Sequence, residues 1–187
     1  MEKGNPNYLL FMGVAGAGKS SVGGEVARRL GLAFVEADDY HSDENRALLS
    51  RGNALTDEMR WPWLDSVAEA ARARREETGR PVVIACSALK RKYRDRLRAA
   101  LPRLFIFHLR TEATEIAKRL VARRNHFAGP ELLGSQLAIL EPLQANEWGA
   151  EINNSPAPEV VIADAERLSR TLIGPDIWQV PGAGDQM

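Results

Sequence analysis

The sequence predicts an α/β fold of three layers, with helices on both faces of a five-stranded parallel sheet and a helical lid at one edge. Three observations predict it. Short apolar runs alternate with helical patterns, a glycine-rich segment follows the first run, and a basic helix end leads into a Gly-Pro loop late in the chain. Strands alternating with helices imply right-handed crossovers and a parallel sheet covered on both faces. Functional groups then gather at the C-terminal ends of the strands.

The strand-sized apolar runs are Tyr8–Met12, Ala33–Val35, Pro81–Cys86, Leu104–Leu109 and Val160–Ala163. Val22, Val26 and Leu30 recur every four residues before Gly31, which reads as one helix and its stop. Within it Gly23 and Gly24 weaken the helix by about 1 kcal/mol each against alanine, so they are read as close-packing positions. The stretch "TDEMRWPWLD", Thr56 to Asp65, shows no clear period and reads as a rigid, partly buried turn around Pro62. Ile116 and Leu120 begin another apolar stripe after the cap candidate Thr111. Residues Gln144 to Glu159 are polar and read as a surface loop before the last strand. The whole of 1–187 is expected to be one domain, with a lid over about 123–135 and a flexible Gly/Pro-rich tail from 174, in which Trp178 is free to dock.

Composition narrows the function classes. Lys+Arg and Asp+Glu are equal at 25 each, so no global field favours nucleic acid or an anionic membrane. Cys86 is the single cysteine, which rules out an internal disulfide and a cysteine-rich zinc site. The opening "MEKGNPNYLLFMG" has too short an apolar run for an export signal, and no segment reaches the roughly 20 apolar residues of a membrane helix. A cytoplasmic protein is expected.

"GVAGAGKS" fits G-x-x-x-x-G-K-S/T and lies between the first strand and the first helix, where that motif belongs. Its glycines let backbone N–H groups face one phosphate, and the helix N-terminus adds partial positive charge. Gly13, Val14, Ala15, Gly16, Ala17, Gly18, Lys19, Ser20 and Ser21 are therefore expected to bind a nucleotide, ATP, with Lys19 on the β/γ oxygens and Ser20 on Mg²⁺. No Asp-x-x-Gly or Asn-Lys-x-Asp occurs, so a GTPase is unsupported. "VVIAD", ending at Asp164, resembles a strand carrying a magnesium-binding acid. An ordinary corner with Asp164 capping the last helix is the preferred reading.

The second strand leads into "FVEADDYH", which places Glu36, Asp38 and Asp39 on the same sheet edge. A carboxylate there can take the proton of an acceptor hydroxyl attacking the γ-phosphate. Asp38 is the preferred base, Asp39 its rival and a solvated acidic turn the plain alternative. Glu36 and Asp38 are two apart and share a face if the strand continues. Arg119 and Arg123 lie four apart before "RNHFAGP", which suits an arginine-bearing lid that closes over the phosphates and excludes water. A solvated basic face is the alternative there. His126 joins the substrate candidates; with three histidines at no ligand-like spacing, a histidine metal site is not expected. In "SALKRKYRDRLR" most charges read as a solvated helix face, with Arg91 and Asp95 able to pair. Lys90 and Arg91 directly follow the third strand, where they can hold an acidic substrate. An RNA-binding helix is disfavoured by the neutral charge and the lack of stacking aromatics beyond Tyr93.

With these residues in view, the chain resembles the small P-loop gluconokinases, the thermoresistant gluconokinase family, relatives of shikimate kinase. The likeness runs from about Tyr8 to Leu172 through four blocks in order: "GVAGAGKS", "DDYHSDENRALLSRGNALTDEMRWPWL", "CSALKRKYRDRLR" and "RRNHFAGPELLGSQLAILEP". It implies a P-loop kinase fold, ATP-dependent phosphorylation of D-gluconate to 6-phosphogluconate with Mg²⁺, and often a homodimer. With it, Asp38, His41 and Arg60 are expected to meet the sugar acid beside the candidates Lys90, Arg91 and His126, Arg123 to assist transfer, and Glu36 or Asp38 to reach Mg²⁺ through water. The family's acceptor segment runs D-x-D-x-x-H-P, N-x-x-K-M, G-x-P-L, D-x-D-R-x-P-W-L. This chain keeps Asp38, His41, Asn45, Gly52, Leu55, Asp57, Arg60, Pro62, Trp63 and Leu64, and departs at Glu36, Ser42, Leu48, Leu49, Ala54 and Met59. Leu48 and Met59 replace a lysine and an aspartate. Either an ion pair has become an apolar contact, or charges that touch the substrate are gone and the acceptor differs. A kinase of another small hydroxy acid, aldonic or shikimate-like, and a nucleotide-binding regulator without turnover are the alternatives.

Overall fold

The computed structural model describes residues 4–112, 115–116 and 130–175. Arg119, Arg123, His126 and Trp178 lie outside the described residues. In chain order the elements are β1 (Tyr8–Met12), α1 (Lys19–Leu30), β2 (Ala33–Glu36), a 3₁₀ turn (Ala37–Tyr40), α2 (Asp43–Ser50), α3 (Asp57–Thr78), β3 (Val82–Ala85), α4 (Arg91–Ala100), β4 (Leu104–Arg110), α5 (Pro130–Ile139), β5 (Gly149–Asn153) and α6 (Pro158–Ile173).

All strand pairings are parallel, in the order β2-β3-β1-β4-β5. Side chains alternate between the two faces of each strand, and both faces are apolar. On one face Leu10, Met12, Val82, Ile84, Leu104 and Ile106 pack against Trp63, Leu64 and Val67 of α3 and Tyr93 and Leu97 of α4. On the other, Leu9, Phe11, Val83, Phe105 and Phe107 meet Val22 and Val26 of α1 and Val161 and Ala165 of α6. The three layers expected from the sequence are therefore present. Of the expected lid, 123–129 lie outside the described residues, and 130–135 begin α5.

Helix α1 ends where the spacing predicts, at Gly31, whose φ of 60° is the left-handed conformation that closes a helix without steric cost. Gly23 lies against Phe11: an added Cβ would come within 3.2 Å of its ring, tighter than ordinary contact, so this glycine does bring helix and sheet together. At Gly24 the nearest neighbour would be 3.8 Å away, an ordinary contact, and no such need exists.

Three expectations are corrected. "TDEMRWPWLD" is not a turn: Thr56 caps α3 by accepting from the Met59 N–H at 3.4 Å, and Pro62 sits inside the helix. A proline there removes one backbone hydrogen bond and costs about 3 kcal/mol in an isolated helix. Burial of Trp63, Leu64 and Val67, with the Trp63 indole donating to the Ala37 carbonyl at 2.7 Å, offsets it. Second, Val160–Ala163 is helical, because Val161, Ala165, Ser169 and Ile173 form a buried stripe at four-residue spacing. The fifth strand is Gly149–Asn153, inside the segment expected to be a loop. Third, Asp164 caps nothing: it lies within α6 and pairs with Arg167 at 3.4 Å.

Candidate active site

The sheet order puts a switch point between β1 and β3, whose following segments leave in different directions. The phosphate loop leaves β1 there. Gly13, Gly16 and Gly18 hold φ values of 156°, 78° and 82°, which let the chain coil back tightly before α1 starts at Lys19. A Cβ on Gly18 would meet the Asn154 side-chain amide at 3.0 Å, and that amide donates to the Ala17 carbonyl. Asn154 directly follows β5. Sequence reasoning missed it because the strand that delivers it was placed elsewhere.

Lys19 folds back, and its ammonium donates to the Val14 carbonyl at 3.1 Å. Ser20 is exposed at the first turn of α1 and hydrogen-bonds the Glu36 carboxylate at the end of β2. Burial raises the pKa of Glu36, and the nearby Asp38 adds to this, while the Ser20 hydrogen bond and Lys19 oppose it. Past Glu36 the chain turns into the 3₁₀ segment. The extension that would have put Glu36 and Asp38 on one strand face therefore does not occur, although the two remain electrostatic neighbours. Asp38 is exposed, with its Oδ1 3.9 Å from the Nε2 of buried His41. His41 stacks on Trp63 with ring centroids 4.2 Å apart, and burial lowers its pKa against the opposing pull of Asp38. Cys86, at the end of β3, lies beneath this group. Burial first, then Asp38, push its thiol up to about 12.

A second charged cluster stands on the same edge. Arg60 of α3 donates to the Tyr93 hydroxyl at 3.1 Å, and Lys90 lies 3.7 Å from Asp57, which also faces Arg60 at 3.8 Å. Lys92 and the Tyr93 hydroxyl hold the Asp57 carboxyl down to about 2. Arg60 and Lys90 are thus brought together around one aromatic ring, 5.3 and 5.7 Å from its centroid. Arg91 is not among them. Its guanidinium binds Asp95 and Gln144, both at 2.8 Å, and Asn146 at 2.9 Å, so the expected pairing with Asp95 forms and the side chain turns away from Lys90.

Arg94 was read as part of a solvated face but is fully buried. It forks onto both Glu147 oxygens, at 2.7 and 2.8 Å, and donates to the Leu89, Glu141 and Pro142 carbonyls. Burial alone would raise the Glu147 carboxyl; Arg94 and the Gln144 N–H hold it below its usual value. The clamp fixes the loop after β3, where Ala88 holds a φ of 39°, and it therefore fixes Lys90. The signal was present in the sequence: Arg94, Leu97 and Leu101 share one helix stripe.

A cavity of about 450 Å³ opens beside the 3₁₀ turn, lined among others by Tyr40, His41, Asn45, Met59 and Trp63. Met59 and Arg60 are neighbours in sequence but face different places, since successive helical residues point about 100° apart. Among the described residues no group of three or more His, Cys, Asp or Glu is placed to hold a metal ion.

Residues 9–143 match the family described as AAA domain. A probable gluconokinase of Mus musculus is 41% identical over 181 residues, covering 87% of this chain and 98% of its own. This chain belongs to the gluconokinase family. Two solved structures carry the same relationship into three dimensions. A sugar kinase from Janibacter sp. HTCC2649, unliganded, superposes with a TM-score of 0.79 at 45% identity, covering 86% of this chain and 92% of that one. A gluconokinase from Sinorhizobium meliloti 1021 gives a TM-score of 0.77 at 36% identity, covering 90% and 97%. Gluconokinase family membership and the five-stranded parallel sheet together make this a P-loop kinase fold.

Proposed function

We propose that the protein transfers the γ-phosphoryl group of ATP to the terminal hydroxyl of D-gluconate, giving 6-phospho-D-gluconate, as one cytoplasmic P-loop kinase domain that works as a homodimer. The observation that carries this reading is the meeting, at one sheet edge, of Lys19 and Ser20 with Glu36 and Asp38, close to the Arg60–Lys90 pair. Family membership supplies the acceptor class.

In this reading the backbone N–H groups of the Gly13–Ser20 loop bind the phosphates, except that of Ala15, which donates to the Gln136 side chain, and Lys19 exchanges its bond to Val14 for the β/γ oxygens. Ser20 offers a hydroxyl beside the Glu36 carboxylate, a donor set that fits Mg²⁺, which keeps several waters and takes few protein ligands. When bound, the ion neutralises charge on the β and γ oxygens. Exposed Asp38 takes the proton as the acceptor oxygen bonds to γ-phosphorus and the bond to the ADP oxygen breaks. Arg60 and Lys90 hold the sugar acid's carboxylate, and neutral His41 offers a ring nitrogen to a hydroxyl. Arg119 and Arg123 supply positive charge to the transferred group, and His126 meets the sugar acid.

ADP release measured with a panel of sugar acids tests the proposal. Gluconate should give the highest kcat/KM. A better turnover of another aldonate or of shikimate would move the acceptor assignment, and ATP binding without turnover of any acid would defeat the kinase reading.

A further inference from the structure

Helix α5 lies directly on the phosphate loop. Leu133, Leu137 and Leu140 pack with Val14, Ala17 and Leu89, a spacing that forms one helix face. Gln136 stands on the same face as the polar member of that apolar stripe, and its side-chain oxygen accepts from the Ala15 N–H at 2.6 Å. Ala15 N–H can only donate, so the atom opposite it is the amide oxygen, and the NH₂ of Gln136 forms the other end of the same rigid plane. Among the described residues the Gln136 side chain makes no second hydrogen bond.

The position is specific. The peptide group joining Val14 to Ala15 accepts from the Lys19 ammonium on its carbonyl side and donates to Gln136 on its N–H side. Gln136 therefore lies one peptide group from the lysine that meets the outer phosphates of a nucleotide in this kind of loop. Its helix is also held firmly at its C-terminal end. The Glu141 N–H donates to the Leu89 carbonyl at 3.0 Å, the Glu141 carboxylate accepts from the Arg91 N–H at 2.5 Å, and Arg94 binds the Glu141 and Pro142 carbonyls. Such anchoring is what a group needs if it is to meet developing charge at a fixed position.

We propose that Gln136 is a ligand of the terminal phosphoryl group of ATP: the Ala15 N–H holds the amide oxygen, and the NH₂ end donates to the γ-phosphate. This rests on the nucleotide-binding part of the function proposed above and is independent of which acid is the acceptor. A residue that only anchored the loop would affect ADP and ATP alike. One that meets the γ-phosphate discriminates between them.

Gln136→Glu separates the two roles, because a carboxylate still accepts from Ala15 N–H but sets negative charge against the γ-phosphate. Titration of the variant with ADP and with a non-hydrolysable ATP analogue should leave ADP affinity within about threefold of the parent and weaken the analogue at least tenfold. Turnover with gluconate should fall in parallel. An unchanged ratio of the two affinities, including an equal loss of both, would overturn the proposal. If the Glu variant fails to bind ADP, Gln136→Met decides, since it retains length and apolar packing without the donor: a shifted ratio supports the proposal and the parental ratio refutes it. Loss of gluconate turnover in the parent protein would remove the acceptor assignment without touching either binding ratio.

Discussion

Glu36 carries a cost in the folded state. Its folded pKa is raised by burial, so its charged form is disfavoured in the folded state. A raised carboxyl penalises the folded state at pH values above the folded pKa, and the penalty disappears below the unfolded value near 4.5. Glu36→Gln should therefore raise the thermal midpoint at pH 7, with no difference from the parent at pH 4. The same variant should lose Mg²⁺-dependent turnover. Equal midpoints at both pH values would show that burial of the charge is not the cause. Asp38 differs in being exposed, and the proposed function makes it the base. Asp38→Asn should reduce turnover at least a hundredfold and leave ATP affinity within about threefold, since in the proposed mechanism the carboxylate acts on the proton and not on nucleotide binding. Near-parental turnover would remove it as the base. The two residues were both visible in the sequence because they follow a strand recognisable by its apolar run. Their separate surroundings were not, because nothing in "FVEADDYH" announces the 3₁₀ turn that divides them.

The loop after β3, which carries Lys90, is fastened by the buried ion pair of Arg94 and Glu147. Arg94→Met leaves buried Glu147 with the Gln144 N–H and only the longer contacts to Arg91 at 3.6 Å and Arg98 at 3.9 Å, so a loss of up to about 3–5 kcal/mol is expected. Combining it with Glu147→Leu should recover much of that loss, and urea unfolding of the single and double variants measures both. Additive losses would mean that the pair is not the coupling unit. A different element tests close approach: a Cβ on Gly149 would lie 2.5 Å from the Ile106 carbonyl oxygen, so Gly149→Ala should pry β5 from β4 and weaken Asn154's support of the phosphate loop. Nucleotide affinity would drop along with stability. This element is also where the sequence was hardest to read. "GAEIN" has little β-branched content and lies at a sheet edge, so its pairing comes from β4 and not from local preference. Val160 to Ala163 has the opposite character, a β-favouring run held helical by burial of Val161 and Ala165 against the sheet. In α3 the same override acts on Pro62, where the packing of Trp63 outweighs a local break. Central strands β1, β3 and β4 were legible because both of their faces are buried and their apolar runs are nearly continuous.

Across the whole molecule, net charge is zero and two histidines are buried with lowered pKa values. Burial is the main cause at both. Asp38 opposes it at His41 while Arg46 and Arg60 reinforce it; Glu151 opposes it at His108 while Arg94 and Arg110 reinforce it. As pH falls, the unfolded chain takes up protons near 6.5 before the folded state does, so stability present above that pH is lost below it. The parent protein should melt at a lower temperature at pH 5.5 than at pH 7.5, and a His41→Gln/His108→Gln variant should show a flatter dependence. Identical slopes would assign the acid sensitivity to other groups. The layered plan and the phosphate loop were legible at this scale from alternation and one motif. The Gln136 and Arg94 contacts were not, because they join segments separated by 121 and 53 positions that only the closed fold brings together.

Cys86 turns the architecture into a clock. It is the only thiol of the chain, wholly enclosed at the floor of the site, and its backbone N–H is tied to the Phe11 carbonyl at 3.1 Å. An alkylating reagent reaches it only when β3 parts from its neighbours, so a single mass increment counts molecules that have opened there. Any small molecule that seals the edge above the sheet slows that count, and it can be ranked by the delay alone, without any turnover being observed.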